Sequence, residues 1–159
     1  MRRPFVFIAV SIVLVACVPT LKRVENTPSA STPTTTQPVC QPSQTQPSNV
    51  DFPEIQGTMK SDGEMWALLF FDQAHVNNVE KIVWRITGTD KEFTAQAQQE
   101  DGTIILPTWG PDYHGQSSNW ERPGDEWGTG FNFPQPGCWK VTVTRGATSG
   151  EIRLDVLAP

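Results

Sequence analysis

The sequence predicts an all-β domain, an antiparallel sandwich of about seven short strands with one long ordered loop, reached after a leader and a tether. Three observations carry this. Apolar and polar residues alternate in several short runs. Gly, Pro, Asn and Asp punctuate those runs as turn signals. No run shows the 3.6-residue period of an amphipathic helix.

The elements follow in chain order. Residues 1–16 read as a signal peptide: Arg2 and Arg3 precede an apolar stretch, interrupted only by Ser11, that ends in small residues. The stretch stops near Val18, short of the ~20 residues needed to cross a bilayer core. Leu14-Val15-Ala16-Cys17 resembles the lipobox of bacterial lipoproteins. The resemblance implies a diacylglyceryl group on the Cys17 sulfur and cleavage just before that residue. Two or more acyl chains make a stable anchor where one does not. The expected location is therefore outside the cytoplasm, lipid-anchored to the cell membrane. That means the outer surface, or the periplasm and outer membrane if the envelope has two membranes. Val18 in place of Asp resembles the pattern not retained at an inner membrane.

The whole chain carries −5, and loss of Arg2 and Arg3 with the leader leaves −7. Such a balance argues against nucleic acid as a partner. It argues equally against a polybasic membrane patch, so the membrane partner is reached through the lipid. Residues 17–50 are rich in Pro, Thr, Ser and Gln and poor in large apolar side chains. They read as a tether that cannot bury enough surface to offset its ordering entropy.

Residues 51–159 read as one domain. A weak first strand falls near residues 52–58. Residues 64–71 form a continuous apolar run, read as a central strand buried on both faces. In 81–87, Ile82, Trp84 and Ile86 face inward, and Lys81, Arg85 and Thr87 outward. In 92–98 the inward set is Phe93, Ala95 and Ala97. Asp101-Gly102 marks a tight turn, and a short strand at 103–106 ends before Pro107. Trp139, Val141 and Val143 alternate with polar residues, as do Ile152, Leu154 and Val156 after the turn at 148–150, so the pair reads as a hairpin. Seven antiparallel strands in a domain of this size point to an immunoglobulin-like sandwich. The segment 133–144, FPQPGCWKVTVT, resembles the penultimate strand of bacterial immunoglobulin-like modules, with Trp139 in the usual tyrosine's place. As a whole the chain resembles small bacterial lipoproteins that end in a Gly-Cys-Trp strand. The likeness speaks for fold and not for function.

With Cys17 lipidated, Cys40 and Cys138 are the two cysteines left to form a disulfide in an exported chain. Because Trp139 points inward, Cys138 belongs on the outer face or at the strand's start. The alternative is a free Cys40 in a mobile tail.

Residues 107–137 show no strand pattern, yet hold Trp109, Tyr113, Trp120, Trp127, Phe131 and Phe133. Long structureless loops are uncommon in compact domains, and this one carries too much aromatic surface to stay free of the core. Trp127 and Phe131, nearest the Gly-Cys-Trp strand, read as a core plug. Trp109, Tyr113, Asn119, Trp120, Glu121 and Arg122 read as candidate ligand-binding residues, because indoles stack on sugar rings while amides and charged groups fix hydroxyls. The competing reading makes these aromatics core as well, with Arg122 in a local ion pair with Asp125 or Glu126.

No catalytic constellation emerges. His75 and His114 stand in no metal-ligand spacing, and no calcium-loop pattern accompanies Asp112, His114 and Asp125. Ser117 and Ser118 lie in no nucleophile elbow. Glu121 and Glu126 as glycosidase carboxylates require a cleft that a domain this small rarely builds. The sequence therefore predicts no cofactor, no metal and no enzyme. It predicts a binding module for a cell-wall glycan or another surface ligand, or alternatively a protein-partner module of an envelope complex, with a small envelope enzyme as the last alternative.

Overall fold

Inward-facing apolar residues on alternating positions assemble two sheets. The computed structural model of the chain describes residues 40–159; the expected signal peptide, the expected lipidation at Cys17 and the part of the expected tether at 18–39 lie outside them. The strands are β1 (Gln46–Pro47), β2 (Pro53–Gln56), β3 (Thr58–Met59), β4 (Met65–Leu69), β5 (Ala74–His75) and β6 (Val79–Ile86). They continue with β7 (Phe93–Gln99), β8 (Ile104–Ile105), β9 (Trp109–Gly115), β10 (Asp125–Asn132), β11 (Gly137–Arg145) and β12 (Thr148–Leu157). There is no helix among the described residues.

The first sheet runs β1-β2-β4-β6-β10-β9 and the second β3-β12-β11-β7-β8. All these pairings are antiparallel; β5 alone pairs in parallel, with the end of β12. From β4 onward the main strands alternate between sheets two at a time: β4 and β6 in the first, β7 and β8 in the second, β9 and β10 in the first, β11 and β12 in the second. The all-β antiparallel sandwich is thus the architecture the sequence predicts.

The core lies between the sheets. Ile82, Trp84 and Ile86 from β6 meet Trp139, Val141 and Val143 from β11 and Ile152, Leu154 and Val156 from β12. Trp127 stacks on Phe93 at 4.8 Å, and Phe131 stacks near Phe133. Buried indoles find acceptors for their N–H groups: Trp84 donates to Thr129 Oγ1 at 2.8 Å, and Trp139 to the Gln135 carbonyl at 3.0 Å. Every residue of β4 is buried. Met65, Ala67 and Leu69 enter this core, while Trp66 and Leu68 join a second cluster on the sheet's outer face. The unbroken apolar run is explained by burial on both sides.

The segment 107–137 differs from its expected loop form. It contains two of the longer strands, β9 and β10, separated by a loop at 116–124. In β10, Trp127, Thr129 and Phe131 face the core, which places Trp127 and Phe131 where the sequence puts them. Gly128 and Gly130 occupy its outer face, and these glycines mimic a turn signal. β9 is an exposed edge strand with irregular register and a cis Gly110–Pro111 bond.

Cys40 and Cys138 are joined, with sulfurs 2.10 Å apart and a sequence separation of 98. Cys138 sits on the outer side of β11, opposite Asp155. From there the chain runs along the sandwich. Ser43 N–H donates to the Arg153 carbonyl, and Ser43 Oγ accepts from Arg153 N–H, both at 2.9 Å. Residues 40–50, tether-like in composition, are therefore part of the body, and β1 pairs with β2.

Candidate functional site

The outer face of the first sheet carries apolar side chains that would ordinarily be wet. Trp66 and Leu68 of β4 and Val83 of β6 project there and are roofed by Trp120 from the 116–124 loop, with Val50 and Phe70 at the margin. Trp120 is only 2 % exposed. Its Nε1 donates to Glu54 Oε2 at 2.8 Å. It is a pillar, which corrects its expected role as an open stacking platform.

Glu54 of β2 is fully buried. Besides Trp120, it accepts Gln46 Nε2 at 3.0 Å and Arg122 Nε at 3.0 and 3.1 Å to its two oxygens, with Arg122 Nη2 as a further donor. Burial alone would raise its pKa. Hydrogen bonds from Arg122, Gln46 and Trp120, and the Arg122 charge, outweigh that and hold it below the ordinary carboxyl value. The Arg122 guanidinium also lies 4.4 Å over the Trp66 ring. The expected local pairing of Arg122 with Asp125 or Glu126 is thus replaced: Arg122 takes Glu54, Arg85 takes Glu126 and Arg145 takes Asp125.

A second buried carboxylate anchors the loop's other end. Glu126 accepts Arg85 Nε at 3.2 Å, the Ser118 hydroxyl, and His114 Nδ1 at 3.2 Å. Arg85 also donates to the Arg122 carbonyl and to Ser118 Oγ, both at 2.9 Å. Arg85 faces outward, as the alternation predicts, and is buried there beneath the loop. The carboxylate stands between hydroxyl and imidazole, whereas a catalytic triad places the imidazole between hydroxyl and carboxylate.

Beside these pillars opens a trough of about 330 Å³, lined by Phe52, Phe70, Lys81, His114, Asn119 and the edge of Trp120, among others. Phe52 stacks on Phe70 at 4.1 Å, and Lys81 Nζ lies 3.9 Å above the Phe70 ring. Asn49 ties the two walls, donating to the Asn119 carbonyl at 2.7 Å and accepting Glu121 N–H at 3.0 Å. On the same face, next to His114, Trp109 lies across Gly128 and Gly130. A Cβ at Gly130 would sit 1.9 Å from its Nε1, and one at Gly128 3.4 Å from its Cζ3 and 3.1 Å from His114 Cε1. The two glycines are a shelf on which the indole rests, and glycine in a strand commonly marks such a close approach. Trp109 remains 36 % exposed.

The predicted site residues therefore separate. Trp109 and Asn119 belong to the trough and its margin. Tyr113 is exposed at the sheet edge, its ring tilted 5.4 Å from Trp127. Glu121 is exposed, and Trp120 and Arg122 are structural. Phe52, Phe70, Lys81 and His114 were not singled out as ligand contacts by the sequence. For Phe70 and Lys81 the only signal is the second apolar face of the strand pair 64–71 and 81–87; Phe52 and His114 lie outside that pair. No protein-family model, curated protein or solved structure matches this chain.

Proposed function

We propose that this chain is a lipid-anchored envelope protein whose sandwich binds a cell-wall glycan, without catalysis, in the trough on the outer face of its first sheet. One observation carries the reading: the Trp109 indole is laid on the Gly128–Gly130 shelf with much of its surface open beside a cavity of about 330 Å³. A flat, supported indole suits the apolar face of a pyranose ring. Pockets that hold small ligands combine such apolar walls with a few polar groups that fix orientation, and here Asn119 and His114 supply them. Binding is favoured over hydrolysis because Glu54 and Glu126 are buried and committed to arginines. Glu126 thus lacks the open position a glycosidase carboxylate needs.

The strand order supports the immunoglobulin-like expectation. β4-β6-β10-β9 follows the order A-B-E-D, and β12-β11-β7-β8 the order G-F-C-C′. The Trp139 N–H bond to the Gln135 carbonyl occupies the position of the tyrosine corner in that fold. The lipid address rests on Arg2, Arg3 and Leu14-Val15-Ala16-Cys17. Cys17→Ala should release the protein from membranes or block its maturation.

The test of glycan binding is fluorescence titration of the full chain with soluble cell-wall fragments. Quenching that disappears in Trp109→Ala, with the melting temperature kept, supports the reading; no response in the native chain overturns it. A second reading, a protein-partner module, is favoured by the exposed Ile104, Leu106 and Tyr113 near the β8 and β9 edges. It predicts a specific protein co-purifying from membranes that Leu106→Asp releases.

A further inference from the structure

The trough is lined by one lysine or arginine, Lys81, which has no carboxylate partner, and that cation narrows the ligand class. We infer that the glycan bound here is a carboxylated one, its carboxylate seated at Lys81; the inference rests on the glycan reading above. Lys81 projects from β6 on the same outer face as Val83 and lines the cavity. Its ammonium is held 3.9 Å above Phe70, whose ring is itself stacked on Phe52. The position of the charge is therefore built, since the face of an aromatic ring attracts a cation held over it.

Two acids also line the trough. Glu126 is neutralised by Arg85, and Asp51 stands on the exposed rim. Among the described residues Lys60, Arg85, Arg122 and Arg145 each have a carboxylate partner; Lys81, Lys91, Lys140 and Arg153 have none, and of these four only Lys81 lines the trough. His114 Nδ1 is turned to Glu126, which leaves Nε2 over the Gly128 floor for a hydroxyl or a carbonyl. From Trp109 through His114 to Lys81 the face thus offers a stacking surface, a hydrogen-bonding imidazole and a cation.

The rest of the body decides which anion fits. Residues 40–159 hold eight Lys and Arg against sixteen Asp and Glu. Such a field repels a densely charged polymer, while charges more than about 8–10 Å away are screened at physiological salt. A glycan with isolated carboxylates meets Lys81 locally and escapes most of that repulsion. A phosphodiester polymer charged at every repeat does not.

The experiment is calorimetric titration of the full chain, in detergent, with three probes of equal length. They are a glycan of alternating N-acetylglucosamine and lactyl-bearing amino sugar, the same glycan with its carboxylates reduced to alcohols, and a glycerol-phosphate polymer. The native chain should bind the carboxylated glycan about tenfold more tightly than the reduced one, a difference of ~1.4 kcal/mol. Lys81→Gln should bring the two to equal affinity, and Lys81→Arg should keep the preference. A structural role for Lys81 would instead weaken both glycans alike. Equal affinity for both glycans in the native chain overturns the carboxylate assignment and leaves glycan binding standing. Tighter binding of the phosphate polymer overturns it in favour of a phosphate ligand. No binding of either glycan removes the glycan reading and this inference with it.

Discussion

Arg122 grips Glu54 across 68 residues of chain, guanidinium to fully buried carboxylate. The contact fastens the 116–124 loop to β2 and places Trp120 over the outer apolar face. Breaking a buried pair by removing one partner leaves an uncompensated charge and typically costs about 3–5 kcal/mol. Arg122 is partly exposed, so Arg122→Ala should cost about 3 kcal/mol, the lower end of that range. Urea denaturation of the native chain, the two single variants and Glu54→Gln/Arg122→Ala measures it. The double variant should be less destabilised than the sum of the singles.

The same pair sets an acid limit. The folded Glu54 pKa is lowered below the usual value of 4.5. The stabilisation it provides is therefore present above about pH 4.5 and is lost as pH falls through the depressed folded value. Between pH 5 and 2, Glu54→Gln should lose less stability than the native chain. Parallel slopes for the two proteins would disprove the linkage.

Trp120 and Trp109 should behave oppositely on truncation. Trp120→Ala removes a buried ring and one donor of Glu54, and should destabilise the domain by about 3–5 kcal/mol. Trp109→Ala removes a partly exposed ring from an outer face and should cost under about 1.5 kcal/mol. Thermal unfolding followed by far-ultraviolet circular dichroism separates them. A larger loss for Trp109→Ala would mean that its ring is core and not a platform.

Gly130→Ala tests the shelf without touching the aromatic. The added methyl would lie 1.9 Å from Trp109 Nε1, so the indole must move. The expected result is an altered tryptophan emission and loss of glycan quenching, with the sheet's dichroism unchanged. Unaltered emission would show that Trp109 does not rest there.

The Cys40–Cys138 bridge closes a loop of almost a hundred residues. In the chain-entropy account such a bridge stabilises by about 4–5 kcal/mol. Cys40→Ser/Cys138→Ser should lose stability of that order, and thiol titration of the unreduced chain should find neither cysteine free. A titratable thiol at either position would contradict the pairing.

Sequence alone determined the class of fold, because its signal is local. Alternation in 81–87, 92–98, 139–144 and 151–156 names the inward residues one strand at a time, and each of those inward sets lies in the core. The run 64–71 likewise announced a strand covered on both faces. Tertiary structure decided what covers the second face, and with it the candidate site. Gly128 and Gly130 read locally as turn-formers; only the Trp109 ring lying over them explains why glycine stands on a strand. Arg122 has acids three and four residues away, but Arg145 and Arg85 hold those, and Arg122 pairs instead with Glu54, 68 residues away, a buried carboxylate with no other cation. Chemistry shared between distant segments leaves no periodicity along the chain, so Glu54, Phe70, Lys81 and His114 come together only once the first sheet has paired and the 116–124 loop has folded over its outer face.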